Sequence, residues 1–302
     1  MPSKTKQLVE SSLMLGTALV LLFLTKYTLL GAVAVFLVPL PFLLLAMSMT
    51  ASSMVWICLA FGFLGWIVTD PFFAIYALLL AIMGAVMGMA YRKRGTALPA
   101  IASGAGIVFL SIVFMLAFMV YGLHIDFGAL MKQAAQFKPS FMSQEQYDEA
   151  VAVAKMGLPS SFVMASFMFS FVVHGLARLI GKRLRKPVPA LKPIREWTFP
   201  RSLLYYYFIA MISLLVFSGS IEGTFWKSAI LNVKIMLDAV FTLQGLSFCL
   251  FAAYLYGWKR LTPVLVVCLF IFQPLATILC LVGIFDLGIR LRDKLETRVK
   301  RG

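Results

Sequence analysis

Residues 76–91 read YALLLAIMGAVMGMAY, a run with no charge and no side-chain amide. A half-buried strand alternates apolar and polar residues with period two, and a transmembrane barrel strand does so over about 10 residues. Nothing alternates here, and SLMLGTALVLLFL at 12–24 carries the same pattern. In hydrocarbon each backbone N–H and C=O has to be satisfied within its own segment or a closed barrel, so continuous apolar runs imply helices. Composition agrees: 62% of the 302 residues are hydrophobic and 13% charged, and mean hydropathy is +0.95. A soluble domain has about 45–50% apolar and about 25% charged residues. The fold class is therefore all-α, a polytopic α-helical membrane protein.

A span of about 30 Å needs roughly 20 apolar residues. Hydropathy predicts spans near 8–25, 29–47, 53–69, 71–91, 98–122, 159–181, 202–219, 228–257 and 262–289. Lys/Arg-rich loops stay cytoplasmic. Lys4 and Lys6 put the amino terminus inside, and the runs RKR at 92–94, KRLRK at 182–186 and WKR at 258–260 then all fall inside. The 123–158 loop falls outside, with four acids against three lysines, and Ser143 with Gln146 forms a candidate capping box for a short amphipathic helix. That helix is either a lid or a connector. The tail RLRDKLETRVKRG is basic, yet a ninth crossing would put it outside. Gln273-Pro274 interrupts the last segment, where proline removes a helix hydrogen bond. The expectation is eight crossings and a ninth segment that either crosses or re-enters.

The stretch KRLRKPVPALKPIREWTFPR at 182–201 holds seven Lys or Arg, four Pro and one acid. Its prolines favour an extended path, and each basic side chain near anionic lipid adds roughly 1 kcal/mol of attraction. Lys182, Arg183, Arg185, Lys186, Lys192, Arg195 and Trp197 are expected to touch anionic head groups or a cytoplasmic protein partner. Without a recognition module beside the charge, nucleic acid is not an expected partner.

Ionisable groups inside a membrane are costly and mark function by default. Lys234 and Asp238 lie four apart on one helix face, with Asn232 and Gln244 in the same segment. They either neutralise one another or line a ligand site. Asp286 with Arg290, and His174 with Arg178, repeat the spacing; a helix-end ion pair and a packing histidine are the plainer readings. Asp70-Pro71 suits an N-cap followed by a first helical residue, with ligand contact as the alternative. Gly84 and Gly88 form GxxxG, which lets membrane helices approach closely. Cys58, Cys249, Cys268 and Cys280 sit in apolar runs without CxxC spacing, and the chain has two histidines far apart. Neither a metal nor a cofactor is expected, and phosphate-loop, HExxH and GxSxG motifs are absent from the sequence.

The order of LVPLPFLLLAM at 37–47, REWTFPRSLLYYYFIAM at 195–211, NVKIMLDAVFTLQGLSF at 232–248 and LVGIFDLGIRLRD at 281–293 resembles the YybS-like family of uncharacterised bacterial membrane proteins. The resemblance runs from about residue 8 to 295 and implies a bacterial cytoplasmic (inner) membrane location without assigning an activity. More distantly, the first six spans are similar to the substrate-capture S components of energy-coupling-factor transporters. That likeness implies a six-helix module at 1–181, a cytoplasmic loop at 182–201 and C-terminal membrane helices at 202–302. S components meet their membrane partner through small residues on the first helix; Ser12 and Gly16 are the small residues here. Two functions compete. One is non-enzymatic capture of a small-molecule ligand by Lys234, Asp238, Asn232 and Gln244, with Asp70 near the mouth. The other is a membrane scaffold or regulator recruiting partners through its basic loops.

Overall fold

The computed structural model describes residues 4–126, 129, 142–217, 224–258 and 261–299. Contacts divide the chain into two units, one formed by Met1–Lys138 with Phe162–Leu191 and the other by Pro139–Ser161 with Lys192–Gly302. The described residues are helical and contain no strand.

In the first unit, α1 (Lys4–Tyr27), α2 (Gly31–Ala34), α3 (Pro39–Ala46), α4 (Ala51–Val68), α5 (Pro71–Arg94), α6 (Ala97–Ala117) and most of α8 (Leu158–Arg183) pack together. Local signals set the ends. Asp70 caps α5 by accepting the Phe73 N–H at 2.8 Å, Pro71 takes the first helical position, and Gly95 closes the helix at φ 65°. Helix α5 is the most buried of the long helices, because its small residues let neighbours come close.

The expected second span is helical in two pieces. Pro39 and Pro41 bring no N–H, and the link between α2 and α3 is carried by i→i+3 bonds, Leu37 N to Ala34 O at 2.9 Å and Leu40 N to Leu37 O at 3.0 Å. Such turns rise about 2.0 Å per residue against 1.5 Å in an α-helix. Residues 38–46 are buried throughout. A Cβ on Gly84 would stand 2.1 Å from the Pro39 carbonyl oxygen, and one on Gly88 would stand 2.2 Å from that of Leu43. The GxxxG pair thus packs α5 directly on the backbone of α3. Lys26 pairs with Asp70 at one end of α5, and Arg92 donates to the Met49 carbonyl at the other. Residues 28–49 therefore run the length of this unit although no single helix does.

The second unit holds α7 (Gln144–Met156), α9 (Ser202–Val216), α10 (Phe225–Leu255), α11 (Leu261–Ile271), α12 (Gln273–Ile289) and α13 (Leu291–Val299). Helix α7 opens with both hydrogen bonds of the Ser143/Gln146 capping box. Parts of the expected 123–158 loop (127–128 and 130–141) lie outside the described residues. Helices α10 and α12 cross backbone to backbone: a Cβ on Gly245 would meet the Leu279 oxygen at 1.8 Å, and one on Gly283 the Phe241 oxygen at 2.0 Å.

Eight to nine membrane segments were expected, and each of the nine apolar segments is helical among its described residues. Among the described residues six helices are long and apolar enough to cross a membrane: α1, α4, α5, α6 with its π-turn to Gly122, α8 and α10. Gly31–Ala46 and Ser202–Val216 are shorter, and the last segment bends by 115° between Pro263–Leu269 and Pro274–Ile289. Phe272 breaks the helix there, and Pro274 starts the next one.

Candidate functional site

Of the five residues expected to form one ligand site, one belongs to the first unit and four to the second. Asp70 lies in the first unit, between α4 and α5, and is occupied twice over by the Phe73 N–H and the Lys26 ammonium. The Lys26 hydrogen bond first, then the Phe73 N–H, holds its carboxyl below the usual carboxylate range.

The other four sit on α10 of the second unit. Asn232 accepts the Ser160 N–H at 2.8 Å and donates to the carbonyls of Met156 and Ser228, both at 2.7 Å. Helix ends leave their first N–H and last C=O groups unmatched; Asn232 closes the end of α7 and the start of α8 at once. It is an anchor at a helix junction.

Gln244 is fully buried and equally committed. Its Oε1 accepts the Phe199 N–H at 3.0 Å and its Nε2 donates to Asp286 Oδ2 at 2.5 Å. Arg292 Nε donates to the same Asp286 oxygen at 3.0 Å, while its other nitrogens reach Ser247 Oγ at 2.9 Å and the Arg195 carbonyl at 3.1 Å. Ser247 in turn donates to the carbonyls of Ile194 and Trp197. The expected Asp286–Arg290 pair is therefore replaced by Asp286–Arg292. Helix α12 ends at Arg290, whose left-handed backbone (φ 51°, ψ 56°) destroys the i,i+4 alignment and swings Arg292 back instead. This network ties α10, α12 and the 194–199 backbone into one polar floor, and it keeps the carboxyl-terminal tail beside the proline-rich strip. Sequence reading missed Ser247 and Arg292. Their signal was a serine three positions after Gln244 and a second arginine beyond the helix end.

Lys234 and Asp238 remain as a pair, 2.7 Å apart, with 30% and 34% of their side chains exposed. Lys234 Nζ lies 5.8 Å from the Tyr207 ring centre, and Cys280 Sγ is 3.9 Å from Asp238 Oδ1. Tyr207 and Cys280 are buried on α9 and α12, so three helices converge on this pair. Neither residue was singled out as a site residue from sequence, because only the fold brings them there.

The basic strip divides as well. Lys186 pairs with Glu10 and reaches the Leu44 carbonyl at 3.3 Å, Arg195 stacks over the Tyr254 ring at 4.0 Å, and Trp197 Nε1 donates to the Lys192 carbonyl at 2.9 Å. Lys182, Arg183, Arg185 and Lys192 point outward, and their side chains have no hydrogen-bond or ion-pair partner among the described residues. The path is extended apart from one 3-10 turn at Ile194–Glu196. On α1, Ser12 and Gly16 are exposed; Ser12 bonds only to the Leu8 carbonyl of its own helix, and nothing lies within 4 Å of a Cβ on Gly16. They pack no helix among the described residues. His174 is buried and meets Tyr91 Oη at 2.6 Å through Nδ1, not Arg178. No cluster of three or more metal-ligating side chains occurs among the described residues.

Comparison with known proteins places the chain in a family. The family described as "Predicted membrane protein (DUF2232)" matches residues 14–287. The chain is 26% identical to the Uncharacterized protein YybS of Bacillus subtilis (strain 168) over 316 aligned positions, covering 97% of this chain and 99% of the relative. No solved structure matches.

Proposed function

The chain belongs to the DUF2232 family of predicted membrane proteins, and on that premise we propose that it is a non-enzymatic protein of the bacterial cytoplasmic membrane that holds a small polar solute at Lys234 and Asp238. The amino terminus and the 182–201 strip would face the cytoplasm, as the distribution of Lys and Arg favours. One observation carries the reading: an ion pair within an apolar helix keeps about a third of each side chain uncovered. Charge facing hydrocarbon is costly, so this exposed edge calls for water or a polar solute. The buried Tyr207 ring supplies an aromatic face that steadies the Lys234 ammonium. The reading drops Asn232, Gln244 and Asp70 from the contact set, since their polar atoms serve the fold.

Native mass spectrometry of protein extracted gently from its own membrane tests this. One small molecule retained per chain, and lost in Lys234→Met/Asp238→Leu, is the expected result. Retention unchanged in that double variant removes the site assignment.

A second reading, a scaffold or regulator, draws on the four outward basic side chains of an otherwise anchored strip. In the same experiment it is favoured by an empty protein accompanied by a stoichiometric second subunit, lost when Arg183, Arg185 and Lys192 are neutralised.

A further inference from the structure

Above the polar floor of the second unit opens a cleft of about 250 Å³, whose polar lining is Thr198, Arg201, Gln244, Asp286, Arg290, Arg292 and Asp293. The floor is internally matched. Gln244 and Arg292 both bind Asp286 Oδ2, and Arg292 is further held by Ser247 and the Arg195 carbonyl. The rim is not matched. Arg201 and Arg290 are exposed, and neither guanidinium has an ion-pair or hydrogen-bond partner among the described residues. Asp293 adds one exposed carboxylate, so the rim carries an excess of one positive charge.

Two features narrow what fits. First, Arg290 occupies the left-handed region (φ 51°), where glycine or asparagine is cheaper by roughly 1–2 kcal/mol. The chain places a guanidinium at a position that disfavours it, and that placement sets Arg290 on the rim. Second, Ile278, Leu281, Phe285 and Ile289 are all exposed along α12. Their spacing of three or four residues makes one apolar stripe, which lies outside the cleft lining and ends one position before Arg290 in sequence. A planar fork of donors matches phosphate oxygens in pairs. An apolar stripe ending at such a fork has the layout of an amphiphile, with chains along the helix and phosphate at its end.

We infer that the cleft binds the phosphate of a singly charged phosphodiester through Arg201 and Arg290, and that the source is an anionic glycerophospholipid whose acyl chains lie along α12. The head group's hydroxyl donors would face Asp293. The site is separate from Lys234 and Asp238, so loss of one leaves the other intact.

The test uses the full chain in detergent, exchanged against phosphatidylglycerol, phosphatidylcholine or inorganic phosphate, with bound lipid counted by native mass spectrometry. Phosphatidylglycerol is expected at one per chain and in preference to phosphatidylcholine. Arg201→Gln and Arg290→Asn should each lower its retention about tenfold, the usual scale for a hydrogen bond to a charged group. Asparagine tolerates the left-handed backbone, and both side chains are exposed, so folding is preserved; an unchanged thermal midpoint checks this. Arg201→Lys keeps the charge but not the fork and should fall between. Displacement of phosphatidylglycerol by inorganic phosphate, itself lost in Arg290→Asn, keeps the phosphate site and assigns it to the free ion. Equal retention of both lipids, or wild-type retention in both charge-removing variants, overturns the inference.

Discussion

Asn232 and Asp286 show how one side chain's role depends on where a helix stops. In sequence, Asn232 is an uncompensated amide in an apolar helix; in the fold it closes two helix ends through Ser160 N and Met156 O. Asp286 sits four residues before Arg290, yet α12 ends between alignment and contact, and Arg292 takes the partner's place. Asp70 is the opposite case, because its N-cap role was legible from Asp-Pro alone. Its ion pair with Lys26 was not, since those residues are 44 positions apart. The Asp70 carboxyl is held below its ordinary value by Lys26 first and the Phe73 N–H second. A depressed folded-state value stabilises above the unfolded carboxylate's value near 3.9, and that contribution fades as pH falls through the folded one. Asp70→Asn keeps a good N-cap while removing the ion pair. It should lower the thermal midpoint in detergent at pH 7, and the gap to wild type should close on acidification below about pH 4. A gap independent of pH would assign the loss to capping.

Helices were legible as apolar runs, but runs do not report bends or crossings. The last segment reads as one hydrophobic stretch and is two helices at 115°. Gly84 and Gly88 announced a close approach by their spacing on one helix. Gly245 and Gly283 make an equally close approach with one glycine on each helix, a signal that no single segment contains. An added methyl there meets backbone, which cannot rotate away. Gly245→Ala and Gly283→Ala should each destabilise by at least about 1–3 kcal/mol, the usual cost of overpacking. Gly288→Ala, with nothing within 4 Å of its Cβ, should be neutral or slightly stabilising, because alanine favours helix. Thermal unfolding of the three variants in one detergent decides this. A loss in Gly288→Ala equal to that in the other two would mean that close packing at the crossing is not the cause.

Across the second unit, the strip and the tail are bound to each other: Arg292 donates to the Arg195 carbonyl and to Ser247 Oγ, and Ser247 donates to the Ile194 and Trp197 carbonyls. Charge counting left the tail in conflict with a ninth crossing, because it treats each apolar run as one passage. With 194–199 and 292 at one place, the number of crossings between them is even; where α9 and α10 each cross once, the bent α11–α12 pair returns to the side it left. Single cysteines at Lys192 and Lys294, in a background with the native four replaced by serine, should react with an impermeant reagent from the same face of the membrane. A cysteine at Gln144 should react from the other. Labelling of Lys192 and Lys294 positions from opposite faces would show that 261–289 crosses.

The contact of α3 with α5 also sets an order of events during synthesis. Gly84 follows Pro39 by 45 positions, and Gly88 follows Leu43 by the same interval. A ribosome therefore releases the broken segment well before the surface that receives its backbone exists. Until α5 emerges, residues 31–46 have prolines at 39 and 41 and only α1 and α4 to pack against, and they are too short to behave as a self-sufficient inserted helix. The clasp on that segment thus closes only when the fifth helix arrives, long after the segment itself was delivered.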